Sequence, residues 1–154
     1  MDIEKLMQFM GYTASHPEFD DFLHSNGVKK RPKGDESTVW ITDTTKTITM
    51  EFSATSTYDE EHEAPAKSDG WFVLRAIDVD KQCVEKLPFN LNWSFSHLDV
   101  NALLGNPLKV QGDLIGSYYH HGFVVTVRFA SKGKKILSFG ITCRNKYHKK
   151  NLGI

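Results

Sequence analysis

The sequence offers no disulfide framework. Its two cysteines, Cys83 and Cys143, form no CxxC pair, and the expectation is two reduced thiols in a cytoplasmic protein. No apolar run approaches the roughly 18 residues of a membrane span, so no membrane is expected among the partners. The opening residues MDIEKLMQFMGY carry acids early and lack a long apolar stretch, which is unlike a secretory signal. Without export, the Asn92-Trp93-Ser94 sequon carries little meaning. There is no Gly-rich phosphate cradle and no low-complexity tract. What remains is 154 residues, 40% hydrophobic and 25% charged, enough to fold as one domain with its own core.

The net charge is zero, but it is unevenly distributed. Residues 1–80 hold 16 Asp/Glu against 8 Lys/Arg, and residues 81–154 hold 3 against 11. Such a chain can steer a charged partner to one end, or its halves can attract each other within one fold.

Apolar positions Ile3, Leu6, Met7 and Met10 predict a helix over 2–10, stopped by Gly11. Ser15, Pro17 and Glu18 predict a capped second helix that buries Phe19, Phe22 and Leu23 and ends at Asn26-Gly27. The stretches 37–42 and 47–53 alternate and are rich in β-branched residues. They read as a hairpin turned by Asp43-Thr44-Thr45-Lys46. Residues 54–70 read as an acidic loop, and 71–79 as a third strand. The second half follows the same order. Ser96 and Asp99 cap a helix ended by Gly105 and Pro107, and strands follow near 114–120, at 122–129 and at 134–143. Residues 144–154 read as a basic tail. The expectation is an α+β domain over 1–154, with tandem helix-plus-three-stranded antiparallel sheet repeats at about 12–80 and 87–143. Helices are expected on one face of the sheet.

The segment LPFNLNWSFSHLDVNALLGNP carries a resemblance. Ser96, Val100, Leu103, Leu104, Gly105 and Pro107 are similar to the helix-and-turn signature of β-lactamase-inhibitor-protein-like repeats, also seen in small outer-membrane assembly lipoproteins. No lipobox is present, so the lipoprotein branch is not expected. In the first copy His24-Ser25-Asn26-Gly27 stands where Leu-Gly-x-Pro would be. The wider layout resembles bacterial immunity proteins of polymorphic or contact-dependent toxin systems. That resemblance implies a non-enzymatic cytoplasmic inhibitor whose partner is a cognate protein toxin, a nuclease among the candidates.

Apparent catalytic groupings have structural explanations. Ser96, His97 and Asp99 are spaced for a helix cap, not a triad. The run from Tyr58 to Glu63 lacks the ligand spacing of a zinc site, so no metal or other cofactor is expected. His120-His121 would point to opposite faces of a strand. Trp40, Phe123 and Phe139 could line a small-ligand cavity, but they read more simply as core. The basic tail with Tyr147 is the alternative site, for nucleic acid, which is the less favoured partner. The favoured site is acidic and aromatic: Asp35, Glu36, Tyr58, Asp59, Glu60, Glu61, Glu63, Asp69 and Trp71, all expected in or beside loops. A nuclease is basic where it grips phosphate, so carboxylates there compete with substrate and speed association, while aromatic rings anchor the complex.

Overall fold

The computed structural model describes residues 1–112 and 114–154. Strands β1 (Thr38–Thr42), β2 (Ile48–Ala54), β3 (Phe72–Asp80), β4 (Lys109–Gln111), β5 (Ile115–His120), β6 (Phe123–Phe129) and β7 (Ile136–Cys143) form one antiparallel sheet in the order β1-β2-β3-β7-β6-β5-β4. The α+β class expected from sequence holds. Two separate three-stranded sheets do not form. Each half is a meander, and β3 and β7, the last strand of each, pair at the centre from Ala76–Thr142 to Asp80–Ser138. The halves also differ, since β4 adds a strand in the second and a helix stands between β2 and β3 in the first.

Turn chemistry sets the hairpins. Asp43 is buried, and its carboxylate accepts from the amides of Thr47 at 3.0 Å and Ile48 at 3.1 Å and from the Thr45 hydroxyl at 2.7 Å. This lets Lys46 sit at φ +60° and close the β1–β2 turn. His121 and Gly122 both have positive φ, the requirement of a tight two-residue hairpin, and join β5 to β6.

Strand alternation separates two faces. One carries Ile48, Met50, Phe52, Leu74, Ile77, Val79, Tyr118, Val125, Val127, Phe139 and Ile141, all buried. Helices α1 (Ile3–Met7), α2 (Pro17–Ser25) and α4 (His97–Leu104) contribute Ile3, Leu6, Phe19, Leu23, Val100 and Leu104 to that core. Phe19 stacks on Phe52, and the Tyr118 hydroxyl donates to Asn101 of α4 at 2.6 Å. The opposite face is polar. One row across all seven strands reads Thr42, Thr49, Asp78, Gly140, Thr126, Ser117, Lys109.

Several local expectations change. Helix α1 ends at Met7, because from Gly11 the chain lies along β3: the Gly11 amide donates to the Leu74 carbonyl, and Thr13 bridges Val73. Ser15 does not cap α2. His16 is the N-cap without a side-chain bond, while the Ser15 hydroxyl donates to the Asp69 carbonyl at 3.3 Å. The acidic loop contains helix α3 (Thr55–Glu61), and the basic tail contains helix α5 (Lys146–Leu152), capped by Asn145. Thus α3 and α5 depart from the expectation that helices cover one face. Glu61 of α3 meets Arg75, which also pairs with Glu51 on the polar side of the sheet, and α5 lies against α3.

Candidate functional site

The structure divides the acidic and aromatic set into two groups. The first surrounds Trp71. A shallow groove is lined by Pro32, Lys33, Asp35, Glu36, Trp71 and Phe72, so Asp35, Glu36 and Trp71 are brought together. Trp71 is 86% exposed although its backbone is fixed. Its carbonyl accepts from the Thr55 amide at 2.9 Å, and the preceding Gly70 carbonyl accepts from the Thr55 hydroxyl at 2.6 Å. Asp69 is exposed two residues away, and its carbonyl holds Thr13 Oγ1 at 2.7 Å. A large apolar ring is therefore held in water by a rigid main chain, with Asp35, Glu36 and the one cation Lys33 lining the same groove.

The second group lies on α3 and its exit. Asp59, Glu60, Glu61 and Glu63 are exposed. Glu60 lies roughly 8 Å along the helix axis from Thr55. Tyr58 does not join this surface. It is 4% exposed, stacks on His62 with ring centroids 3.8 Å apart, and belongs to the core. Burial pushes its hydroxyl well above the ordinary tyrosine value.

Basic groups of the second half neutralise part of the acidic helix. Glu63 accepts from Lys149 at 2.5 Å and Arg144 at 3.2 Å, and these two cations hold its carboxyl below the usual carboxylate range. Lys146 Nζ donates to the Glu60 carbonyl at 2.8 Å. Arg75 bridges Glu51 at 3.0 Å and Glu61 at 3.2 Å. The Asp59 carboxylate accepts from the Ala66 amide. The charge asymmetry of the sequence is thus spent in part inside the fold. The basic segment that suggested nucleic acid has Lys146 engaged with α3, and Arg144 and Lys149 engaged with Glu63 just beyond it.

Other sequence candidates are placed plainly. Ser96 Oγ accepts from the Asp99 amide, and the Asp99 carboxylate accepts from the Ser96 amide at 2.9 Å, a reciprocal cap. His97 Nδ1 faces the Gly133 carbonyl, so no triad forms. The His120 and His121 rings lie 4.2 Å apart at 81° and enclose Phe89, instead of pointing to opposite faces, because His121 sits in a positive-φ turn. Trp40 is 61% exposed on edge strand β1, whereas Phe139 is fully buried on β7, so they do not line a common cavity. Cys83 and Cys143 are buried and free. Among the described residues, no three His, Cys, Asp or Glu side chains converge as a metal site, and no helix is long and apolar enough to cross a membrane.

Sequence reasoning missed two features. Asp78 is exposed overall, yet its carboxyl lies over Gly140, where a Cβ would stand 2.8 Å from Oδ1. Burial there, with Glu51 nearby, raises its pKa. At the far edge, Leu98, Leu103, Leu108, Val110 and Leu114 are exposed near a cavity of about 190 Å³ between α4 and β4–β5. The available signal was the apolar content of PLKV, a strand too short to bury it. Comparison with family models, curated proteins and solved structures returns no match for this chain.

Proposed function

We propose that this chain is a non-enzymatic protein-binding inhibitor of the immunity type, acting by covering a basic surface of a cognate toxin. The carrying observation is Trp71, an 86% exposed ring on a fixed backbone with Asp35 and Glu36 lining the same groove. A rigid aromatic loses little conformational freedom on binding and is the residue type that dominates interface energetics. The neighbouring carboxylates select a cationic partner and raise its association rate. Exposed acids Asp59, Glu60 and Asp69 extend the same sign of charge from the groove toward α3. A nuclease toxin fits this chemistry because its substrate face is cationic. The likeness of the wider layout to bacterial immunity proteins, beside that of 87–107 to β-lactamase-inhibitor-protein-like repeats, supplies the biological setting.

The test is rescue of growth. The reading frame adjacent to this gene is expressed in cells, alone and together with the chain. Toxicity relieved by the wild-type chain, and not by a folded Asp35→Lys/Glu36→Lys/Trp71→Ala variant, is the expected outcome. Equal rescue by the variant would remove the groove from the mechanism.

A further inference from the structure

We infer that α5 is a displaceable strap, which masks the acidic surface of α3 until a basic partner takes its place. His148 and Leu152 are half-buried, with His148 beside His62, and no side chain of α5 is fully buried. It has seven residues, and a helix that short is marginal in water without tertiary packing. Polar contacts hold it: Lys149 pairs with Glu63, Lys146 donates to the Glu60 carbonyl, and Arg144 just before the helix also pairs with Glu63. Glu63 and Lys149 are both well exposed, at 43% and 59%, where ion pairs are weak and screened by salt. An open space of about 530 Å³ beside α5 is lined by Glu60, Glu61, Arg75, Asn145, Lys146 and Tyr147.

The hinge is well defined. Cys143 is the last residue of β7, is buried, and is paired with Phe123. Arg144 and Asn145 separate it from α5, so the strap can lift without disturbing the sheet. The charges also match. Glu63 faces Arg144 and Lys149, and Lys146 reaches the backbone of Glu60, whose own carboxylate is exposed. The docked helix therefore displays in cis the chemistry this surface takes, a short basic segment. Because it is tethered, it competes at high effective concentration and lowers the apparent affinity of any basic segment arriving in trans. The purpose of the strap rests on the protein-binding reading above, but its test needs no toxin.

Two measurements on the full-length chain decide it. In hydrogen exchange, amides of Lys149–Leu152 should exchange about tenfold faster on raising salt from about 0.02 M to about 0.5 M. Glu63→Gln at low salt should reproduce that acceleration, while β3 and β7 amides stay protected and report an intact fold. A labelled peptide of sequence RNKYHKKNLGI should then bind a Lys146→Glu/Lys149→Glu chain about tenfold more tightly than the wild type, and lose that gain when Glu63→Lys is added. Salt-insensitive protection of α5, equal to that of β7 and unmoved by Glu63→Gln, would overturn the strap. An α5 that opens while the peptide binds both chains equally would overturn the masking.

Discussion

Single residues carry much of the local architecture. Asp43 is buried and satisfies two amides and a hydroxyl at once. Asp43→Ala leaves the Thr47 and Ile48 amides without that partner and should cost roughly 1–3 kcal/mol in urea unfolding, with an unchanged m-value. A loss within error would mean that water replaces the carboxylate freely. His62 couples stability to pH. It is buried, its Nδ1 faces the Tyr58 carbonyl at 2.8 Å, and its Nε2 has no partner. Tyr58, Asp59, Glu61, Arg75 and His148 surround it, and burial lowers its pKa below 6.5. His120 and His148 are lowered too, again chiefly by burial. In each case the unfolded chain takes up a proton that the fold resists. Their contribution is present above about pH 6.5 and declines as pH falls below it. Asp78 works oppositely, since its raised pKa means the fold accepts a proton first, but its window lies lower, near the carboxylate range. Comparing urea midpoints at about pH 7.5 and about pH 5.5, the drop should be smaller in His62→Phe than in wild type. Equal drops would place the sensitivity at the other histidines.

At the scale of elements, α4 shows why some of the chain was legible in the sequence. Ser96 and Asp99 exchange hydrogen bonds with each other's amides, so residue type and spacing announced the cap directly. Ser96→Ala should lower stability by about 1 kcal/mol, measured by thermal unfolding. No loss would mean that the Asp99 carboxylate alone suffices. The β1–β2 turn was equally readable, because Asp43 carries the chemistry its geometry needs. Helices α3 and α5 were not. The only buried residue of α3 is Tyr58, and α5 has none, so neither shows an apolar period. What fixes them is pairing across about 85 positions, Glu60 with Lys146 and Glu63 with Lys149, which no local pattern encodes. The same gap explains the fate of the candidate site. Asp35, Glu36 and Trp71 meet because Ala54 and Phe72 pair beside them. The outward side of Trp71 and the inward side of Tyr58 both depend on where α3 begins.

For the whole molecule, the opposed charges of the two halves have an internal use. β3 and β7 join the halves at the centre of one sheet, and α5 brings cations of the second half onto acids of the first. Asp35 and Glu36 beside Trp71, and Asp59 and Glu60 on α3, are exposed acids outside those ion pairs. A partner recognised there should be basic, and its association should slow with added salt and with Asp35→Lys/Glu36→Lys, by about tenfold in rate at low ionic strength. Dissociation should change less. Variants that alter only dissociation would assign these carboxylates to packing instead of steering. The most direct measurement is co-purification of the tagged full-length chain with the product of the adjacent reading frame, with nuclease present throughout. The account expects a stoichiometric protein complex that survives moderate salt and is lost with Trp71→Ala. Recovery of nucleic acid when nuclease is omitted, with no protein partner under either condition, would contradict it.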